Sequence, residues 1–264
     1  ATFLMAEVDF QRGRFEEAEP RYRSVLKSDP EGDFGLDAAS SLAWCAYRLG
    51  KYDKAVEYAN TILARDIEPS LATEMHFLVG ESELEAGRYE PAIAAYQKVQ
   101  AGPFADAALR GAGFAYAAVD NHGQAAKSFE ALLTGHPDSR FAGEASLRLG
   151  VHRLLNGNPQ GAWEALSADI VADDAEALYW KGRARGDMGD TEGALALLDK
   201  ARSAQPDVEL MQHIQTVRGD LLTDAGRSSE AAEAYANAGS SDALHAAAVA
   251  SFNAGDAARS LELA

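Results

Sequence analysis

Six histidines, one cysteine and an excess of carboxylates are the residues of this chain that could carry chemistry. The histidines are His76, His122, His136, His152, His213 and His245. No two stand four apart with a glutamate between, the spacing by which one helix face offers two imidazoles to zinc. A nucleophile elbow would read G-x-S-x-G and a phosphate loop G-x-x-x-x-G-K-[ST], and the chain contains neither. Gly111-Ala112-Gly113 is a lone G-x-G, better explained by helix packing than by a nucleotide. Asp169, Asp173, Asp174 and Glu176 crowd one stretch but lack the spaced ligands and central glycine of a calcium loop, so they read as solvated loop acids. Cys45 has no disulfide partner, and within Ala43-Trp44-Cys45-Ala46 it reads as a small buried hydrophobe. The residues therefore predict no catalytic group, no metal and no cofactor, and an enzyme is the least supported reading.

What remains is recognition by aromatic and arginine side chains, and that depends on what positions them. One pattern recurs: a glycine, often an aromatic two residues on, an alanine three after that, then a large residue four further. It appears as Gly13, Phe15, Ala18, Tyr22, then as Gly50, Tyr52, Ala55, with Ala59 in the last place. It continues as Gly87, Tyr89, Ala92, Tyr96 and, with Asp120 in the glycine place, His122, Ala125, Phe129. Three more copies are Gly157, Ala162, Leu166, then Gly189, Ala194, Leu198, then Gly226, Ala231, Tyr235, and Gly255 with Ala257 opens another. The intervals are 37, 37, 33, 37, 32, 37 and 29 residues.

Each mark lies between two apolar patterns of helical spacing, such as Leu42, Ala46, Leu49 before Gly50 and Ala55, Ala59, Ile62 after it. Ala-rich and Leu-rich composition favours helix. Glycine at the end of the first helix suits a left-handed cap, and Pro30, Pro137 and Pro206 close second helices. The recurring alanine lets the second helix approach the first. The expected fold is all-α: a right-handed superhelical α-solenoid of seven to eight helix–turn–helix units. The expected units span roughly 1–33, 36–70, 73–104, 106–140, 143–172, 175–208, 212–240 and 241–264, within one array over 1–264. Excess length is expected in loops such as Pro30-Glu31-Gly32-Asp33-Phe34-Gly35.

Leu149-Gly150, Ala125 with Phe129 and Pro137, and Ala18 with Tyr22 and Pro30 match parts of the tetratricopeptide pattern. The chain resembles that family over nearly its whole length, which implies a protein-binding scaffold. The stretch Gly135-His136-Pro137-Asp138-Ser139-Arg140-Phe141-Ala142-Gly143-Glu144-Ala145, with Leu147-Arg148-Leu149-Gly150, resembles a junction in bacterial cell-envelope repeat proteins. Those are the Tol–Pal coordinator and the outer-membrane-assembly lipoprotein, and the resemblance implies an envelope or periplasmic scaffold.

In such arrays the first helix of each unit forms the concave binding wall. In the second unit Leu42, Ala43, Ala46 and Leu49 are needed for packing, leaving Ser40, Trp44 and Tyr47 on another face, with Arg48 beside them. The same register gives Phe77, Glu81 and Leu84, then Arg110, Phe114 and Ala117, then Leu147, Val151 and Leu154. It goes on to Tyr179, Arg183 and Gly186, then Thr216, Asp220 and Thr223. Aromatics and arginine dominate binding hot spots. The expected partner-binding residues are therefore Trp44, Tyr47, Arg48, Phe77, Arg110, Phe114, Tyr179 and Arg183. Trp44, Glu81 and Phe114 stand where a two-carboxylate clamp would need Lys or Asn, so chaperone-tail binding is not expected.

The net charge is −17, from 41 acidic against 24 basic residues. That field repels nucleic acid and anionic membrane and favours a basic or neutral polypeptide partner. No apolar run is long enough to span a bilayer, so no direct membrane insertion is expected. Both ends read as cut within helical pattern, as in a domain excised from a longer protein, and open ends would permit self-association. The periplasm or envelope is the expected location. The alternative is an adaptor or regulatory module of a larger cytoplasmic protein.

Overall fold

A computed structural model of the chain describes residues 1–30, 32, 34–171 and 174–263. Glu31 and Asp33 of the expected loop insertion, and Asp173 of the acidic stretch, lie outside the described residues. The chain packs as two compact units, Ala1–Phe141 and Ala142–Ala264. The first unit contains α1 (Thr2–Gln11), α2 (Phe15–Ser28), α3 (Gly35–Arg48), α4 (Tyr52–Leu63), α5 (Pro69–Glu85), α6 (Tyr89–Tyr96), α7 (Ala105–Ala118) and α8 (His122–Gly135). The second contains α9 (Ala142–Leu155), α10 (Pro159–Leu166), α11 (Ala175–Asp187), α12 (Thr191–Ser203), α13 (Val208–Asp224), α14 (Ser228–Ala238), α15 (Ser241–Asn253) and α16 (Ala257–Leu263). All secondary structure among the described residues is helical, and consecutive helices pair as hairpins.

Every hairpin turns in the same way. Gly50 has φ +69°, its N–H donates to the Tyr47 carbonyl at 2.9 Å, and the Lys51 N–H donates to Ala46 at 2.8 Å. These two bonds occupy carbonyls that the end of α3 would leave unpaired. The pair recurs at each register glycine. At the degraded copy Asp120 takes the left-handed place itself, with φ 55°, and Asn121 donates to Tyr116 at 2.9 Å. Aspartate enters that region more readily than other non-glycine residues.

The recurring alanines Ala18, Ala55, Ala92, Ala125, Ala162, Ala194 and Ala231 are all fully buried, as their spacing predicts. The first helix answers with a small residue of its own. A Cβ on Gly113 would come within 2.6 Å of the Phe129 ring, and Gly80, Gly150, Gly182 and Gly219 lie as tightly under Tyr96, Leu166, Leu198 and Tyr235. The G-x-G at Gly111 and Gly113 is thus a packing feature, since a Cβ on Gly111 would meet the hydroxyl end of Tyr96 at 2.4 Å. Cys45 is buried, and burial with the nearby Glu19 and Glu7 carboxylates pushes its thiol up to about 12, so it stays protonated.

Two helices begin a turn earlier than their apolar pattern indicates. α5 starts at Pro69, where proline suits a first helical position, rather than near 73. α13 starts at Val208 rather than near 212, because the Asp207 carboxylate accepts from the Leu210 N–H at 2.8 Å. Asp174 caps α11 in the same way, accepting from Ala177 at 2.8 Å, which accounts for one of the clustered acids.

Gly113→Ala is expected to lower stability by about 1–3 kcal/mol through overpacking against Phe129. Gly135→Ala in the same hairpin meets nothing within 4 Å and is expected to raise it by up to ~1 kcal/mol through helix propensity. Chemical denaturation of the two variants checks the pair, and equal signs would contradict the close approach.

Candidate partner-binding face

In the first unit three register residues gather. Trp44 and Tyr47 on α3 meet edge to face at 5.8 Å between ring centroids, and Phe77 on α5 lies 6.3 Å from Trp44. Phe104, just before α7, stacks on Phe77 at 4.8 Å and on Trp44 at 6.4 Å. Phe77 is buried at 8% exposure, so it forms the floor of this group, whereas Trp44 and Tyr47 are half-buried and reach solvent.

Two carboxylates of α5 edge the aromatics. Glu74 accepts from the Trp44 indole N–H at 2.6 Å and from the Ser40 hydroxyl at 3.3 Å. Glu81 accepts from Tyr96 on α6 at 2.6 Å and from Tyr47 at 3.5 Å. Burial raises the pKa of Glu81, against the pull of its Tyr96 bond and of the Arg110 charge. Tyr47 is pushed up to about 12 by burial and by the Glu81 and Glu85 charges. Burial and Glu81 together raise Tyr96.

The Tyr96–Glu81 pair belongs to a series. Tyr22 donates to Glu7, and Tyr235 donates to Asp220 at 2.7 Å, each tyrosine lying 15 residues after its acid. Wherever the large place after the recurring alanine holds tyrosine, the first helix carries a carboxylate above it. Sequence reading missed this link, although that constant separation is visible in the chain. It also missed Glu74, which stands on α5 three residues before the register position of Phe77, and Phe104, which precedes a helix instead of lying within one.

The other register residues divide. Arg110 lies over the Phe114 ring at 4.8 Å and the Phe141 ring at 5.1 Å, and Phe114 packs edge-on to Phe129 at 5.5 Å. Arg48 leaves the aromatic group, since its guanidinium sits over Phe15 of α2 at 5.1 Å. In the second unit Tyr179 is buried, 5.1 Å from Trp180 and 6.5 Å from His213, with Arg183 over both the Tyr179 and Trp180 rings. Val151 and Leu154 of the same register are buried in that unit's packing. Among the described residues no group of three or more His, Cys, Asp or Glu could hold a metal, and no helix is long and apolar enough to cross a membrane.

A family model, the tetratricopeptide repeat, matches residues 3–68, 42–106, 111–175 and 179–243. No curated protein sequence matches the chain. Among solved structures, the C-terminal part of a repeat-containing protein from Cytophaga hutchinsonii is 17% identical, with TM-score 0.71 over 89% of this chain and 93% of that one. YrrB, described as having an unusual peptide-binding site, is 19% identical, with TM-score 0.62 over 73% and 96%. Pseudomonas aeruginosa pilF is 20% identical, with TM-score 0.60 over 81% and 95%. At these identities the likeness is one of fold.

A carboxyl whose pKa rises on folding supports the native state while protonated and loses that support as pH climbs through the raised value. For Glu81 the window opens above the ordinary 4.5. Wild type should therefore gain stability relative to Glu81→Gln as pH falls from ~7 toward that value. Melting temperatures of both proteins at the two pH values test this, and a constant or reversed difference would refute it.

Proposed function

Since the chain belongs to the tetratricopeptide repeat family, we propose that it is a protein-interaction scaffold that binds a partner segment on the first-helix face of its first unit. The supporting observation is the half-exposed pair Trp44 and Tyr47, braced by the buried Phe77 and by the half-buried Phe104 stacked on it. An anchored aromatic surface gives contact area at little entropic cost, because packing already holds the rings. Phe114, under Arg110, extends the face along α7. The peptide-binding site named for YrrB is a precedent for the same fold. The second unit offers a face at Trp180 and Arg183, with the buried Tyr179 packed against them.

Nothing in this arrangement activates a nucleophile. Its most perturbed groups are tyrosines and a cysteine held protonated, and Glu81 is occupied by hydroxyl donors. Recognition is the chemistry it supports.

The resemblance of the Gly135–Gly150 junction to envelope repeat proteins supports a setting in a bacterial envelope complex. Within that junction the Ser139 hydroxyl donates to Asp106 at 2.6 Å and accepts from the Phe141 N–H at 3.2 Å, so Ser139 has a structural role.

Trp44→Ala with Phe114→Ala should weaken capture of peptides from an array by at least ~30-fold, the loss of about 2 kcal/mol expected of an anchor. Unchanged capture by a folded double variant would sink the assignment of this face. Fractionation of host cells should place the protein in the envelope or periplasm, and a wholly cytosolic distribution would favour the adaptor reading.

A further inference from the structure

The first unit holds two kinds of shielded carboxylate, and they differ in what balances their charge. Asp9, Glu19 and Glu83 are buried and ion-paired. Asp9 meets Arg14 and Arg21, Glu83 meets Arg88, and Glu19 meets Arg23 at 2.6 Å and Lys51 at 2.7 Å. Those bonds hold the Glu19 pKa below its ordinary value even though burial pushes it up. Glu7, Glu74 and Glu81 are different. Glu7 takes hydrogen bonds from Tyr22 and Ser41, Glu74 from Trp44 and Ser40, and Glu81 from Tyr96 and Tyr47. Among the described residues none of the three makes an ion pair with Lys or Arg.

Hydroxyl and indole donors orient a carboxylate without cancelling its charge. Arg110 favours the charge on Glu81, but its guanidinium lies over the Phe114 and Phe141 rings. Glu74 and Glu81 are two helical turns apart, roughly 10 Å along α5. Phe77 lies between them, with Trp44 and Tyr47 alongside. Oriented acids without an ion-pair partner among the described residues, beside half-exposed rings, match the two parts of a lysine or arginine side chain. The aliphatic stem lies along a ring, and the head meets both ring face and carboxylate. The net charge of −17 adds long-range attraction for a cationic segment and repels an acidic one.

We propose that this face recognises an extended partner peptide through a lysine or arginine, its head between Glu74 and Glu81 and its stem on Trp44 and Tyr47. The proposal rests on the partner-binding reading above and names the chemistry of the partner. The acid register makes Glu7 and Asp220 places where further basic residues of a partner would be favoured.

The test is selection from a phage-displayed library of random 12-residue peptides on the immobilised chain. Enriched peptides are then synthesised with each Lys or Arg replaced by norleucine. They are titrated against wild type, Glu74→Gln, Glu81→Gln and Trp44→Ala. The expected result is enrichment of Lys or Arg, with loss of at least about ten-fold in affinity on norleucine replacement. Binding should also weaken as salt rises. Glu74→Gln and Glu81→Gln should each shrink the norleucine effect, and Glu74→Gln leaves the Tyr96 bond intact if Glu81→Gln proves unstable. If norleucine peptides bind wild type equally well while Trp44→Ala still weakens them, the cationic anchor is overturned and the binding face survives. If Trp44→Ala changes nothing, or no peptide is enriched over bare support, both fall.

Discussion

The close approach of the second helix of each hairpin onto the first is the constraint on which the structure depends. It requires a small residue on both sides: the alanine series of the second helices, and Gly80, Gly113, Gly150, Gly182 or Gly219 on the first. A side chain at those glycines would meet the packed ring or leucine of the second helix. The left-handed turn residue sets the geometry, because its two backbone bonds end one helix and start the next within two residues. Hairpins built this way bury little alone, so within each unit they stack, and a copy's apolar residues are covered by its neighbour.

The same contact decides what stands on the exposed face of the first helix. The large side chain that fills the gap above the glycine ends beside the next face position. When it is tyrosine, its hydroxyl reaches that position and needs an acceptor, and Glu7, Glu81 and Asp220 supply one. When it is the small Ala59, the corresponding position carries Trp44. With Phe129 below, it carries Phe114, packed edge-on. The face is thus coupled to the packing, and a core tyrosine brings a charged surface position with it.

This coupling separates two uses of carboxylates. Acids at the ends of first helices, such as Asp9 and Glu83, are tied to arginines just past the turn, and there charge serves the hairpin. Acids in the middle of the face are tied to hydroxyl and indole donors instead.

The hairpin order, the turn positions and the fully buried alanines were legible in the sequence, because each depends on local spacing. A helix end needs its capping residue within a turn, and a seam needs a small residue at a fixed place. Even the substitution of Asp120 for glycine was readable as a degraded copy. The starts of α5 and α13 were not, since a proline and an aspartate added a turn that the apolar pattern did not carry. Grouping of the face residues belonged wholly to the tertiary structure. One register holds Trp44, Arg48, Phe77, Arg110, Phe114, Tyr179 and Arg183 or places beside it, but spacing along helices says nothing about neighbours on adjacent hairpins. Packing alone decided that Trp44 and Tyr47 gather with Phe77, Phe104, Glu74 and Glu81. It also decided that Arg48 turns to Phe15 and that Phe77 and Tyr179 are covered. Side-chain size across a seam sets those contacts, and residues on the two sides of a seam lie some thirty positions apart in the chain.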